Sequence, residues 1–178
     1  MLVAGGAGRV GAYAVQFARL SGAHVTATAS AKDCALVEQL GAKRCFDYAD
    51  PELSAQLQDD TGKKGYDLII EPRFGSNIEL NARVLSRNGV IAGYGFDDNR
   101  SPALPAMQLV MRNAVCRFVG IFGLSRRDQE EAISQVKDML GRGRVQHRVG
   151  MEVSLVEAAL AHEAIEAGHL SGSALIAN

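Results

Sequence analysis

Net charge is almost missing from this sequence, and that excludes some classes of partner. Its 19 lysines and arginines face 20 aspartates and glutamates, which gives a formal net charge of −1 at pH 7. The basic residues are scattered rather than grouped. A protein that binds a nucleic acid backbone or an anionic membrane normally carries a basic patch. We therefore expect neither a nucleic acid nor a membrane as a partner.

Long apolar runs and paired cysteines are missing as well. The apolar stretches have the length of β-strands, and residues 1–6 have neither the basic flank nor the apolar length of a signal peptide. We therefore expect a cytoplasmic protein. Cys34, Cys45 and Cys116 are far apart in the sequence and form no Cys-x-x-Cys motif. We expect them to be reduced and mostly buried, and to form neither disulfides nor a zinc site.

Short β-type runs alternate with helical stretches along the first two thirds of the chain. This alternation is typical of βαβ units around a parallel sheet, and a chain of 178 residues can bury one substantial core. We predict strands at 2–4, 24–29, 44–48, 66–71, 90–94 and 115–122. We predict helices between them at 10–20, 31–40, 51–60, 78–85 and 107–111.

Two capping signals organise the last third of the chain. Ser125 is positioned to cap a helix that runs to about residue 140. Ser154 and Glu157 have the spacing of a capping box at the start of a second helix, which ends at Gly168. The order predicted here is helix, strand, helix and strand, with the final strand at 173–177.

Together these elements predict the α/β class. Residues 1–124 are expected to form a Rossmann-type, doubly wound parallel sheet, and residues 125–178 a C-terminal helix-strand extension. The apolar strand 115–122 would lie at an edge of the sheet. An apolar edge strand invites pairing with a copy of itself, so we expect a homodimer through this strand.

A glycine-rich turn joins the first predicted strand to the first helix. Gly6, Gly8 and Gly11 form a G-x-G-x-x-G pattern in the strand-turn-helix context that dinucleotide binding requires. Gly6 permits the tight turn, Gly8 lets the backbone approach a pyrophosphate, and Gly11 lets the helix pack closely on the strand. The helix N-terminus adds free amide groups for the phosphates. The pattern predicts a dinucleotide site, although glycine-rich turns also occur where nothing binds.

The end of the second strand bears on the choice of coenzyme. NAD-specific sites have an Asp or Glu about 20 residues after the glycine loop, and the strand 24–29 ends without one. Ser30 and Lys32 offer a hydroxyl and a cation suited to the 2′-phosphate of NADP. Asp33 is the counter-argument, since a slightly different loop would bring its carboxylate to the ribose. Arg9 either reaches a phosphate or lies on the helix surface. We expect NADP(H).

Other enzyme classes lack their signatures in this sequence. A short-chain dehydrogenase needs a Tyr-x-x-x-Lys pair, and no tyrosine here is followed by lysine four residues later. A methyltransferase normally has an acid at the end of the second strand, where this chain has none. The histidines and cysteines do not combine at zinc-ligand spacing. We expect no metal site and assign no catalytic residue, because in hydride transfer the nicotinamide carries out the redox chemistry.

Landmarks in order along nearly the whole chain resemble one family. They are residues 5–11, 13–18, 40–42, 47–48, 66–71, 89–91, 119–123 and 161–163. Taken together they resemble the zeta-crystallin-type NADPH:quinone oxidoreductases of the medium-chain dehydrogenase/reductase superfamily. Arg9, where the family usually has glycine, and the run 72–75, where it has Val-Gly-Gly, depart from the pattern.

The resemblance implies a set of coenzyme contacts. Ser30, Lys32 and Tyr48 would lie at the adenosine 2′-phosphate. Gly93, Tyr94, Phe122 and Gly123 would lie near the nicotinamide. With the glycine loop, the expected coenzyme-binding residues are Gly6, Gly8, Arg9, Val10, Gly11, Ser30, Lys32, Tyr48, Gly93, Tyr94, Phe122 and Gly123.

The resemblance also implies a part that this sequence does not contain. Family members carry a GroES-like catalytic domain before the glycine loop, and here only residues 1–4 precede it. Residues 125–178 would normally pack on that domain. We therefore expect the coenzyme-binding portion of a zinc-independent NADPH-dependent reductase of quinones, enones or enoyl thioesters, with little activity on its own. The alternative is a catalytically silent NADP-binding or dimerisation module.

Overall fold

The computed structural model describes residues 1–143, 145–168, 170 and 172–178. Within them, the main sheet contains β1 (Leu2–Val3), β2 (Thr26–Ala29), β3 (Arg44–Asp47), β4 (Tyr66–Glu71), β5 (Leu85–Gly93) and β6 (Val115–Phe118). These strands alternate with α1 (Arg9–Leu20), α2 (Cys34–Gln39), α3 (Leu53–Asp60), α4 (Phe74–Val84) and α5 (Ala106–Met111). The chain continues with α6 (Arg126–Gly141), β7 (Val149–Ser154), α7 (Ala158–Glu166) and β8 (Ser173–Ala177).

The six strands of the main sheet are parallel and follow the order β3-β2-β1-β4-β5-β6. Val3 of β1 pairs with Ala27 on one side and with Ile70 on the other. The chain thus builds the sheet outward from β1 in one direction and then returns to continue on the other side. This is the doubly wound order, with its reversal between β1 and β4. The predicted fold class is confirmed.

Neighbouring residues of β1 face opposite layers of the fold. Leu2 belongs to a buried cluster with Leu57 of α3 and Ile78 of α4. Val3 belongs to a second cluster with Val15 of α1 and other buried residues of α2 and β2. Side chains alternate along a strand, so even this two-residue strand contributes to both layers. Burial of each such side chain stabilises the fold by roughly 1.5–3 kcal/mol relative to exposure.

A buried carboxylate fixes the turn that follows β4. Glu71 is fully buried and accepts a hydrogen bond from the Arg73 backbone N–H at 2.7 Å. Its two oxygens also accept from the side-chain amides of Asn77 at 3.0 Å and Asn81 at 2.8 Å. Burying a charged group is costly unless it is hydrogen-bonded. These bonds tie the end of β4 to α4 and hold Arg73 at the carboxyl edge of the sheet.

Helix α4 begins four residues before the start predicted at residue 78. The Asp97 carboxylate, from the loop after β5, accepts a hydrogen bond from the Ser76 N–H in the first turn at 3.2 Å. Glu71 accepts from the residue just before the helix. Because these acceptors lie on other elements, the local pattern of the sequence did not reveal them.

The predicted strand 115–122 is too long by four residues. Phe118, the last residue of β6, pairs with Gly93, the last residue of β5. The Val119 N–H then donates to the Gly93 carbonyl at 2.8 Å. Beyond this point β5 offers no further strand to pair with, and Ile121–Gly123 forms a 3₁₀ turn.

The prediction that the cysteines are mostly buried is wrong. Cys116 is exposed, because β6 is an edge strand whose four residues all remain accessible. Cys34 and Cys45 are partly buried. All three thiols are free.

The C-terminal extension forms a second, two-stranded sheet in which β7 and β8 run parallel. Both predicted caps are confirmed. Ser125 accepts a hydrogen bond from the Asp128 N–H at 3.2 Å, and Ser154 forms a capping box with Glu157. None of the helices in the described ranges is long and apolar enough to cross a membrane.

The helices of the extension leave large apolar side chains in contact with solvent. Ile133, Val136 and Leu140 recur at helical spacing on α6, and all three are exposed. Val156, just before α7, is 96% exposed, and Leu160 on α7 is also exposed. An apolar surface of this kind marks an interaction site more often than a free surface.

Candidate functional site

An open cleft of about 470 Å³ lies at the carboxyl ends of the central strands. One wall is the glycine loop between β1 and α1, and the other walls follow β2 and β4. Tyr48, after β3, and Tyr94, after β5, complete the lining. The cleft spans the point at which the strand order reverses. Open α/β sheets bind their ligands at this point.

The glycine loop is too tight for side chains at key positions. Gly5 has a left-handed backbone with φ of +66°. A Cβ at Gly11 would collide with the carbonyl oxygen of Gly5. A Cβ at Gly6 would stand 2.9 Å from Val37 Cγ1 and 3.0 Å from Ala27 Cβ. Gly6 is therefore packed behind the cleft, while Gly11 brings α1 directly against the loop.

The first turn of α1 supplies hydrogen-bond donors to the cleft. The Ala12 N–H makes the first bond to a backbone carbonyl before the helix, that of Gly8, at 2.8 Å. The amides of Arg9, Val10 and Gly11 precede it and belong to the N–H groups that an α-helix leaves without an intrahelical acceptor. All three residues line the cleft. This arrangement suits an anion, because the donors and the helix dipole act together.

A carboxylate stands beside the end of β2. Asp33, in the 3₁₀ turn Ala31–Asp33, lines the cleft with Ser30 and Tyr48. The Ser30 hydroxyl donates a hydrogen bond to the Asp33 carboxylate, with 2.5 Å between the oxygens. Lys32 lies on the exposed side of the turn, outside the lining. The Ser30 hydroxyl, which we expected to bind the 2′-phosphate of NADP, therefore donates its hydrogen bond to the Asp33 carboxylate.

Arg73 and Tyr94 form the wall that follows β4 and β5. The Arg73 guanidinium lies 3.4 Å from the Asp97 carboxylate and lines the cleft. Burial, and secondarily the charge of Glu71, raises the pKa of Tyr94. Its hydroxyl therefore stays protonated near neutral pH and is able to donate a hydrogen bond into the cleft.

Three residues expected near a nicotinamide lie apart from the cleft lining. Gly93 is buried, and a Cβ there would stand 3.2 Å from Phe74 and 3.4 Å from Phe118. Phe122 is 99% exposed. Gly123, in the same 3₁₀ turn, has no heavy atom of the described residues within 4 Å of where a Cβ would stand, outside its chain neighbours.

The cleft therefore unites about half of the predicted site. Of the expected residues, it is lined by Gly8, Arg9, Val10, Gly11, Ser30, Tyr48 and Tyr94. Sequence reasoning missed Arg73, whose only signal was its position just after a buried strand. Asp33, which the sequence offers as the counter-argument to NADP(H), also lines the cleft.

A strap, residues 146–148, ties the C-terminal extension to the glycine loop and α1. Gln16 donates to the Gln146 carbonyl at 3.1 Å and accepts from its N–H at 2.7 Å. The Tyr13 hydroxyl lies 2.9 Å from His147 Nδ1. Arg148 donates to the Ala7 carbonyl at 3.0 Å. The loop is thus held from outside as well as by its own glycines.

The described part of the chain contains no group of three or more His, Cys, Asp or Glu residues arranged to hold a metal ion. Its donor set therefore does not fit a zinc site, and no step of the chemistry considered below uses one. The glycine loop and the cleft, in contrast, have the donors and the space for a dinucleotide.

Comparison with known proteins agrees with this geometry. A family model described as zinc-binding dehydrogenase matches residues 10–138. A chloroplast envelope quinone oxidoreductase homolog of Arabidopsis thaliana is 42% identical over 91 residues, which cover 51% of this chain and 27% of that protein. A chloroplastic quinone-oxidoreductase, QR1, of Triphysaria versicolor is 28% identical over 176 residues, which cover 99% of this chain and 51% of that protein.

Solved structures share the fold over the whole chain. A mycobacterial protein complexed with NADPH superposes with a TM-score of 0.86 at 22% identity, covering 99% of this chain and 57% of its own. At that identity the likeness concerns the fold alone. This chain spans at most about half the length of the two curated relatives.

We predict that Gly11→Ala destabilises the protein by about 1–3 kcal/mol, the usual cost of overpacking a tight site. The added methyl group would collide with the Gly5 carbonyl, and the atoms that it would meet are all backbone atoms, which cannot move aside as a flexible side chain can. The matched control is Gly123→Ala, which adds a methyl group in open space. Urea denaturation followed by circular dichroism compares the two. Equal midpoints for both variants would contradict the close approach.

Proposed function

Since this chain belongs to the zinc-binding dehydrogenase family, the coenzyme-binding part of the medium-chain dehydrogenases/reductases, we propose that it binds NADP(H) for hydride transfer to a quinone, enone or enoyl-type acceptor. The observation that carries the proposal is the glycine loop, whose helix-start amides line an open cleft at the reversal of the strand order. The bound nicotinamide supplies the hydride. The chain's own residues bind and orient the coenzyme.

Each wall of the cleft has a role in this proposal. The amides of Arg9, Val10 and Gly11 hold the diphosphate, and the Arg9 guanidinium adds a cation beside it. Ser30 and Tyr48 contact the adenosine ribose and its 2′-phosphate. Tyr94 orients the nicotinamide half from the other side of the cleft through its protonated hydroxyl. No zinc takes part, and no residue of this chain is assigned as a catalytic acid or base.

The proposed preference for NADP(H) over NAD(H) depends on the residues at the adenosine end of the cleft. Ser30 and Tyr48 line the cleft where the adenosine end would lie, and a protein of the same fold was solved with NADPH. Asp33 opposes the preference, because its carboxylate beside Ser30 repels a phosphate and accepts from ribose hydroxyls. We therefore propose that the cleft binds NADPH only moderately more tightly than NADH.

A second function is a catalytically silent module that binds NADP(H) or mediates dimerisation. The observation in its favour is the set of exposed apolar side chains in residues 125–178, such as Ile133, Val156 and Leu160, which suit a docking surface. We propose that this segment packs on a further domain and that residues 1–124 form the coenzyme domain. Much of the acceptor pocket would then lie outside this chain.

We predict saturable binding of NADPH, tighter than that of NADH, with little turnover of a quinone or an enone by this chain alone. Fluorescence titration measures binding, and the absorbance of the reduced nicotinamide measures turnover.

Arg9→Ala should weaken NADPH binding about threefold or more, since it removes a charge-assisted contact. The control Arg127→Ala, on exposed α6, should not. Failure of either coenzyme to bind would contradict the proposed function. Rapid turnover would contradict the silent module.

We predict that Asp33→Asn tightens NADPH binding by about three- to tenfold, or roughly 0.7–1.4 kcal/mol. The substitution removes a negative charge beside the 2′-phosphate and leaves the Ser30 hydroxyl a neutral, weaker competing acceptor, so this hydroxyl donates to the phosphate more readily. NADH binding should stay equal or weaken. Asp128→Asn is the matched control, because Ser125 and Asp128 form the same kind of pair on α6. If Asp33→Asn has the same ratio of NADPH affinity to NADH affinity as the unaltered protein, Asp33 does not face the adenosine end.

We also propose a homodimer through β6, whose outer edge pairs with the same strand of a second copy. The side chains of Val115 and Phe118 are exposed, and the Val119 N–H, which points to β5, implies that the Cys116 N–H points outward. Cys116→Pro removes that donor, so we predict that it weakens dimerisation, while Cys116→Ser does not. Sedimentation velocity distinguishes the variants. An unaltered protein that is monomeric at high concentration would contradict the proposal.

A further inference from the structure

A second cleft, of about 510 Å³, lies away from the candidate coenzyme site. It is lined by residues from the last turns of α3 and α4, from the start of β5 and from α5. The strands of a parallel sheet all begin at the same end, and β5 begins at Leu85. The second cleft therefore lies at the amino ends of the strands, opposite the glycine loop. Its volume is within the usual range for small-molecule sites, about 300–1,000 Å³.

The lining of the second cleft concentrates positive charge. Among the described residues, Arg83, Arg87 and Arg112 contribute to it, and no Asp or Glu does. The coenzyme cleft is lined by two arginines and by Asp33, so the second cleft is the more cationic of the two. The chain as a whole has a formal net charge of −1. A concave cationic surface without acidic neighbours in its lining attracts an anionic ligand.

Arg112 holds one wall of this cleft in place without any ligand. Its guanidinium donates to the backbone carbonyl of Arg83 at 2.8 Å and to that of Leu85. These carbonyls lie at the end of α4, where a cation also complements the helix dipole. Arg112 thus joins α5 to α4, and the two bonds use only part of the donors of its guanidinium.

The other polar side chains of the lining have donors available. Within the described ranges, the Arg87 guanidinium and the side-chain amides of Gln58 and Gln108 have no hydrogen-bond or ion-pair partner in the chain. Arg83 is paired with Glu79 at 3.1 Å, and both side chains are more than half exposed. An exposed pair of this kind contributes little, so an anion readily replaces Glu79. Arginine binds carboxylates and phosphates through two parallel hydrogen bonds.

Helix α5 gives the cleft an apolar and adaptable wall. Met107 and Met111 are four residues apart on α5, which places them on one face of the helix. They are 73% and 64% exposed. Methionine side chains are flexible and polarisable, and they are common at surfaces that accept varied apolar ligands. A ligand that matches this lining combines an anionic head with an apolar body.

We propose that the second cleft binds a small anionic amphiphile, which has a carboxylate or phosphate head and an apolar body. Arg87 makes the main contact with the head, Arg83 adds a second cation, and the amides of Gln58 and Gln108 donate to the remaining oxygen atoms. The apolar body packs on the two methionines of α5. The site does not depend on the proposed coenzyme function, because the two clefts share no lining residue.

Methionine methyl groups report on this site directly. The chain has five methionines, and Met1, Met139 and Met151 lie outside the lining. The experiment titrates octanoate, below its micelle concentration, into the full chain labelled with ¹³C at the methionine methyl groups. We expect the NMR signals of Met107 and Met111 to shift saturably and the other three to stay unchanged. Octanol, which has the same chain without the charge, should bind about tenfold more weakly or worse.

A substitution tests the contact with the anionic head. Arg87→Ala should weaken octanoate binding about tenfold or more. It should leave the urea midpoint of unfolding unchanged, because Arg87 has no side-chain partner in the described part of the chain. Arg127→Ala, on exposed α6, is the matched control and should bind octanoate like the unaltered protein. Octyl phosphate is the second probe, and the tighter of the two anions identifies the head as a phosphate or a carboxylate.

Several results would overturn the proposal. Octanol that binds as tightly as octanoate, or octanoate binding that Arg87→Ala leaves unchanged, would exclude recognition of an anionic head. Shifts of Met139 and Met151 equal to those of Met107 and Met111 would show adsorption of the apolar chain over the whole surface. If the Met107 and Met111 signals move with protein concentration and not with octanoate, this surface is a contact between copies of the chain.

A competition experiment separates the second cleft from the coenzyme cleft. NADPH should leave the affinity for octanoate unchanged, because the two clefts lie at opposite ends of the strands. Displacement of octanoate by NADPH would overturn the separate site. Binding of octanoate by a chain that binds no NADPH would contradict the proposed function and support the second site.

Discussion

The close approach of the Gly11 backbone to the Gly5 carbonyl is the contact on which the cleft depends. Because neither position carries a side chain, a loop of only five residues, 4–8, joins the two-residue strand β1 to α1. The free amides at the start of α1 then lie at the carboxyl ends of the sheet strands, between β2 and β4. The reversal of the strand order leaves that edge open. A larger residue at Gly11 would separate the donors from the space in which a ligand could meet them.

Local periodicity was enough to predict most of the sheet, because buried parallel strands read as short apolar runs between turn signals. The end of β6 was not predictable in this way. It is set by Gly93, where the neighbouring strand stops, and not by a residue of β6 itself. The early start of α4 has the same kind of cause, since Asp97 caps it from a loop 21 residues away in the chain.

The candidate site was predictable where one segment contains its whole geometry. The glycine loop meets that condition. The part of the cleft lined by Ser30, Asp33 and Tyr48 does not, because the 3₁₀ turn Ala31–Asp33 decides that Asp33 and not Lys32 lines the cleft. Phe122 and Gly123 were assigned by resemblance, and here they lie in an exposed turn apart from the lining. Contacts across 130 residues, such as Gln16 with Gln146, leave no local signal.

The strap at residues 146–148 couples the stability of two distant segments. Gln16 is buried, and both ends of its amide are satisfied by the Gln146 backbone. Detaching the strap would break both of these hydrogen bonds, each of which contributes about 0.5–1.5 kcal/mol net. Helix α1 and the strap should therefore open together as one cooperative unit. The two sheets are hydrogen-bonded separately, yet their segments should unfold in one event.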